Sequence, residues 1–273
     1  MRRLVEGFSI EATPRQLASA ESLERLLPPG TRVYVPYLPR ASMADTVDAC
    51  RQLAAQGLRA VPHVPARAAA SRAKLDEQLA SLADAGAGSL LLIAGDRRRP
   101  AGPFTSTFDV LDTGLLQAHG FAEVGVAGHP EGHPVADAQA LLDALRRKAA
   151  YASETGTRMW IVTQFAFSAD PVIAWLERLR QAGIELPVRI GVPGPAKTQT
   201  LLRYALQCGV GASSRLLARR PDAVTQLLGR WTPEAMLPPL ARYRSENPAA
   251  GIAGVHVFPF GGLLKSIGFF SNL

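Results

Sequence analysis

The sequence predicts an α/β protein, a single (βα)8 TIM barrel over residues 1–273, and three observations carry that expectation. Short β-branched runs alternate with amphipathic stretches of helix length, as repeated βα units around a parallel sheet require. Eight such runs can be counted, the number that closes a barrel, and no low-complexity linker divides them. No G-x-G-x-x-G follows the first strand and no G-x-x-x-x-G-K-[ST] occurs, so the usual nucleotide-binding open sheets lose support.

The elements follow in chain order. The basic M-R-R start meets Glu6 and Glu11 before any long apolar run develops, and it lacks a small-residue cleavage site. It reads as a first strand, 5–11. A helix over 15–27 leads to strands at 32–37, 60–64 and 89–95, separated by helices at 44–56 and 71–85. A helix near 108–118 precedes the fifth strand, 123–129. There Val124 and Val126 suit a buried strand, Gly128 lets the backbone turn, and Pro130 and Pro134 forbid helix, so His129 and His133 are held at the strand's C-terminal mouth. Helix 136–153, strand 159–164, helix 170–182, strand 187–192 and helix 196–208 continue the alternation. Two helices, 221–229 and 233–245, fill the longer path to a last strand at 254–260.

Composition narrows the class. Apolar residues make up 47% and charged residues 19%, yet no run approaches the roughly 18 uncharged apolar residues that a spanning helix needs. A cytoplasmic protein without a membrane span is expected. Cys50 and Cys208 each fall inside a predicted helix, so the chain offers neither a disulfide framework nor a CxxC motif, and both read as small core residues. The net charge of +7 could suit nucleic acid, but the arginines are scattered through helices without interleaved aromatics, and no nucleic-acid partner is expected. The three arginines at 97–99 read as a solvated loop or as an attraction for phosphate-bearing or polycarboxylate ligands. Apolar helix faces are compatible with a homo-oligomer.

Polar residues sort by where the strands end. Glu11 closes the first strand, His63 lies near the end of the third, and Asp96 follows the fourth. His129 and His133 follow the fifth and Gln164 ends the sixth. In a barrel all of these fall on the C-terminal face, where active sites are built. A metal is not expected, because Pro130 breaks the helix that would set His129 and His133 on one face as H-E-x-x-H requires. A serine hydrolase is disfavoured because G-x-S-x-G is absent.

These residues, in this order, resemble the methylenetetrahydrofolate reductase family, a flavin-dependent (βα)8 barrel. V-A-G-H-P-E-G-H-P at 126–134 is similar to the family's V-A-x-Y-P-E-x-H-P, A-G-D at 94–96 to its R-G-D, and V-T-Q-F-A-F at 162–167 to its I-T-Q-F-F-F. S-I-E-A-T-P around Glu11 resembles F-E-F-F-P-P, and Pro62-His63 resembles P-H-L-T. The resemblance implies interconversion of 5,10-methylenetetrahydrofolate and 5-methyltetrahydrofolate by hydride transfer through FAD, with NADH or NADPH as co-substrate and either direction open. Glu11 would be the general acid that protonates folate N10, a task suited to a carboxyl whose pKa is raised at an apolar mouth. Asp96 would stabilise cationic intermediates and tune the flavin.

Gln164 would hydrogen-bond folate. His63, His129 and His133 would line the FAD site, with Ala94, Gly95 and Ala127 allowing close backbone approach, and Arg147 and Lys148 would meet the cofactor's phosphates. Departures fall on the same contacts. Ala12 and Thr13 replace the aromatic pair, Ala94 an arginine, His129 a tyrosine, and Gly261-Gly262 the asparagine and arginine of H-F-Y-T-L-N-R, leaving only H-V-F-P-F at 256–260. The chain is expected to be the catalytic barrel without a regulatory extension. The rivals are a flavin-free barrel lyase or methyltransferase acting on a folate or pterin, and a non-catalytic folate-binding protein.

Overall fold

The computed structural model describes residues 1–20, 22–38, 42–208 and 230–273. Its strands are β1 (Ser9–Glu11), β2 (Arg32–Val35), β3 (Arg59–Pro65), β4 (Ser89–Ile93), β5 (Glu123–Gly128), β6 (Arg158–Phe165), β7 (Val188–Pro193), β8 (Ala196–Lys197), β9 (Arg230–Trp231) and β10 (Ile252–Phe258). Eight of them close a barrel in the order β1-β10-β7-β6-β5-β4-β3-β2, and β8 with β9 form a separate antiparallel ribbon. The predicted α/β barrel is the observed fold. The helices are α1 (Arg2–Val5), α2 (Pro14–Ser19), α3 (Met43–Ala55), α4 (Arg72–Asp84), α5 (Thr107–Leu111), α6 (Leu115–Ala118), α7 (Ala138–Thr155), α8 (Ala169–Gln181) and α9 (Thr198–Cys208), followed by Leu237–Glu246 and Leu263–Ser271.

The chain divides into two compact units. In the unit Glu11–Ala127 with Gly156–Met159, β2 to β5 pair in parallel, with Tyr34 opposite Val61, His63 opposite Leu91 and Leu91 opposite Gly125. Opposed residues on parallel strands share a face, so Arg32, Arg59 and Glu123 start one face and Tyr34, Val61 and His63 continue it. The Glu123 carboxylate, only 15% exposed, takes Arg158 at 3.1 Å, Arg32 at 3.3 Å and Arg59 closer still. One acid therefore ties the N-terminal ends of four strands together. Burial alone would raise its pKa, but Arg59, Arg158 and Arg32 together hold it below the ordinary glutamate value. Outside this sheet, α3 starts at a capping box in which the Ser42 hydroxyl accepts from the Asp45 N–H and the Asp45 carboxylate accepts from the Ser42 N–H. Its Ala49, Cys50 and Leu53 are buried.

The other unit comprises Met1–Ile10, Gly128–Thr155 and Trp160–Leu273. Here β10 lies between β1 and β7, with His256 opposite both Ser9 and Gly191. The α8 face Val172, Trp175, Leu176 and Leu179 is buried, at the helical spacing that gives one apolar stripe. Arg180 on the same helix donates to the carbonyls of Ala250 and Leu186, satisfying backbone that no strand reaches.

Several elements differ from the sequence expectation. The first strand is only Ser9–Glu11, because Arg2–Val5 is helical with Leu4 and Val5 buried and Gly7 turns at φ +65°. The predicted helix 15–27 ends at Ser19, whose hydroxyl turns back to the Arg15 and Gln16 carbonyls, and a 3-10 turn Leu23–Arg25 follows. Gly114 at φ +72° splits the expected 108–118 helix in two. The last strand runs from Ile252 to Phe258 and stops at Pro259. The β8–β9 ribbon and the C-terminal helix were not anticipated; G-G at 261–262 followed by Leu263, Ile267 and Phe270 at helical spacing was the readable signal for the helix. The predicted helix 221–229 and the Cys208 side chain lie outside the described residues. Cys50 is a core residue whose thiol is pushed up to about 12 by burial, which leaves it inert.

Candidate functional site

Two groups of polar side chains stand at the C-terminal ends of barrel strands, one in each unit. In the first, Glu11 ends β1 and His63 lies two residues before the end of β3. His63 Nε2 is 3.6 Å from Glu11 Oε1, and both side chains are less than a fifth exposed. The amide of Ala12 donates to the Tyr34 carbonyl at 2.8 Å, which fixes the chain just past Glu11. The buried Tyr34 ring meets His63 edge-on at 6.1 Å. Sequence reading had missed Tyr34, a lone tyrosine in a strand that offers no chemical signature. After β4, Gly95 turns at φ +86°, and a Cβ there would come 2.9 Å from the Pro65 Cβ, so glycine is required. The Ala94 carbonyl accepts from Arg67 N–H. Asp96 is exposed on that turn, as are the arginines 97–99.

The second group is built on β5, its following turn and α7. Gly128 ends β5 where a Cβ would strike Ile161 at 2.6 Å and Trp175 at 2.9 Å. The backbone can therefore pass close to β6 and deliver His129 immediately beyond. The His129 and His133 rings meet edge-on at 4.9 Å. His133 Nδ1 accepts from the Val135 N–H at 3.3 Å, an orientation set by Pro134 between them. Lys148 on α7 is 8% exposed, and burial brings its amine down to about 8. Burial, then His133, then Lys148 hold His129 down to about 4. Arg147 is exposed on the same helix. Adjacent helix positions do not share a face, so the anticipated basic pair is divided: Lys148 turns inward toward the histidines and Arg147 outward. Ala127 is half-buried on β5.

Gln164 sits in this second unit, on β6 where its pairing with β7 slips between Val162 and Phe165. The next residue, Phe165, belongs to an aromatic cluster whose visible trace in the sequence is F-A-F at 165–167 and F-P-F at 258–260. Tyr204 stacks on Phe260 at 4.4 Å, Phe258 runs near-parallel to Phe260 at 13°, Phe165 meets Phe167, Phe258 and Phe260 edge-on, and Trp231 of the ribbon meets Phe167. Apart from Phe165 these rings are half-buried, leaving planar faces within reach of a ligand. Among the described residues no group of three His, Cys, Asp or Glu side chains could hold a metal ion, and no helix is long and apolar enough to cross a membrane.

A parallel barrel that carries an acid, an amide and imidazoles at the C-terminal ends of its strands has the layout on which barrel enzymes build their sites. The particular family is shown by comparison with known proteins. The family model described as Methylenetetrahydrofolate reductase matches residues 13–221, and the chain belongs to that family. Glu11 and the last strand lie outside the matched span. The chain is similar to "Methylenetetrahydrofolate reductase 1" of Schizosaccharomyces pombe, 33% identical over 88 residues, which are 32% of this chain and 14% of that protein. It is also similar to a solved structure described as a conserved protein from Enterococcus faecalis with an unknown function, at 8% identity and a TM-score of 0.50. That likeness covers 96% of this chain and 64% of the other and concerns the fold alone.

Proposed function

We propose that this protein is an FAD-dependent oxidoreductase that interconverts 5,10-methylenetetrahydrofolate and 5-methyltetrahydrofolate, with NADH or NADPH as the other redox partner. The observation that carries the reading is the carboxyl of Glu11 at the end of β1 with an imidazole 3.6 Å away, in a barrel of this family. Glu11 gives or takes the proton at folate N10 as the five-membered ring opens or closes, and His63 beside it orients the carboxyl and answers its change of charge. Gln164 hydrogen-bonds the folate. Asp96 faces the developing positive charge from its turn after β4.

The residues present suit a flavin diphosphate. Burial first, and then the nearby His133 and Lys148, hold His129 far below its ordinary value, and an anion among these groups would offset their mutual repulsion. Lys148, with Arg147 at the rim, would hold the phosphates. When bound, FAD would carry the hydride between nicotinamide and folate. A visible spectrum of the purified protein tests the cofactor: flavin bands, bleached by NADH and restored by methylenetetrahydrofolate, are the expected result. A colourless protein that cannot be loaded with FAD overturns it. Glu11→Gln should abolish folate turnover while leaving flavin reduction by the nicotinamide intact, and undiminished folate turnover removes Glu11 from the mechanism.

A further inference from the structure

Where β6 slips against β7 the regular ladder is interrupted, and two backbone groups there are held by one side chain. The Thr163 hydroxyl, on a residue 1% exposed, accepts from the Gly191 N–H at 2.8 Å and donates to the Gln164 carbonyl at 2.8 Å. Gly191 completes the arrangement from the other strand. A Cβ on it would lie 2.4 Å from the Thr163 carbonyl oxygen and 2.6 Å from the Gln164 carbonyl oxygen, so no other residue lets β7 approach the bulge. The Gly191 carbonyl in turn accepts from the Ala166 N–H at 3.2 Å, closing the far side. The residue enclosed by these bonds is Gln164.

We propose that Thr163 and Gly191 are positioning residues that lock the β6 bulge and thereby aim the Gln164 amide at the substrate. The inference rests on the reading of Gln164 as the folate contact. A bulge re-aims the side chain it carries, and an amide recognises a ligand only while its backbone is fixed to within a fraction of an ångström. Thr163→Val keeps the shape of the side chain and removes the hydroxyl, leaving a buried N–H and a buried carbonyl without their shared partner. Thr163→Ser restores the hydroxyl. Gly191→Ala pushes on the same bulge from β7.

The test compares Thr163→Val, Thr163→Ser, Gly191→Ala and Gln164→Ala in two assays of the flavin-loaded enzyme: KM for methylenetetrahydrofolate, and NADH-driven reduction of an artificial electron acceptor, which needs no folate. The expected result for Thr163→Val is a rise in folate KM of about tenfold or more, with the acceptor reaction retained and the serine variant within about threefold of the parent. If Thr163→Val does not fold, Gly191→Ala carries the same expectation. Gln164→Ala with a raised folate KM beside position 163 and 191 variants with an unchanged one overturns the positioning role alone. An unchanged folate KM in Gln164→Ala overturns the reading of Gln164 beneath it.

Discussion

His129 concentrates what is individual about this chain at the scale of single residues, because the resembling motif carries tyrosine there and a tyrosine gains no charge in mild acid. His129 is held down to about 4, against an ordinary value near 6.5. The unfolded chain therefore binds a proton in the interval from about 6.5 down to about 4 that the folded chain refuses, so stability falls as pH drops through that window, by at most about 3 kcal/mol. We predict that urea denaturation shows His129→Tyr losing less stability than the parent between pH 7.5 and pH 5. Equal losses in both would remove His129 as the source. Lys148 obeys the same sign at higher pH: its amine, down to about 8 when folded, costs stability below its unfolded value near 10.5, and the cost is complete below about 8. An anion beside Lys148 removes that cost. Of the proposed site residues, those at strand ends were readable from motif and spacing, whereas the inward turn of Lys148 and the outward turn of Arg147 were not, since adjacent letters say nothing about which helix face packs.

At the scale of elements, the N-terminal strand ends depend on one carboxylate. Glu123 draws three arginines from β2, β3 and the start of β6, and its removal leaves their charges crowded at a half-buried site. Glu123→Gln is expected to lower stability by about 1–3 kcal/mol, after allowing for the solvent that still reaches the arginines. Its depressed pKa adds a second signature: the stabilisation is present above the unfolded glutamate value and disappears as pH falls through the folded one. Calorimetry of the parent and the glutamine variant from pH 7 to pH 3 checks both, and parallel curves would count against the network. Gly128→Ala is expected to be destabilising by about 1–3 kcal/mol, because its methyl has nowhere to go against Ile161 and Trp175. Loss of flavin retention should accompany it if β5 presents His129 as proposed.

For the whole molecule, binding of an anionic cofactor to the folded state alone must appear as stabilisation. Titrating FAD into the apoprotein should raise the melting temperature progressively, by about 2.7 kcal/mol of stability at a hundredfold excess over Kd, or several degrees for a chain of this size. Lys148→Met should shift that titration to higher FAD concentration; a melting temperature indifferent to FAD in the parent would sink the cofactor assignment. The alternation of strands and helices, and with it the parallel barrel, is written in the amino-acid order, because periodicity and Gly/Pro punctuation act locally and survive in a one-dimensional reading. The same order also sets which strand ends carry Glu11, His63, His129 and Gln164. Folding alone brings Glu11 to His63, sets Lys148 rather than Arg147 beside the two histidines, gathers six aromatic side chains around the end of β6, and joins Thr163 to Gly191 across a bulge. Those pairings join residues that lie up to 95 positions apart, and they are set by which faces pack and where two strands fall out of register, which no local pattern encodes.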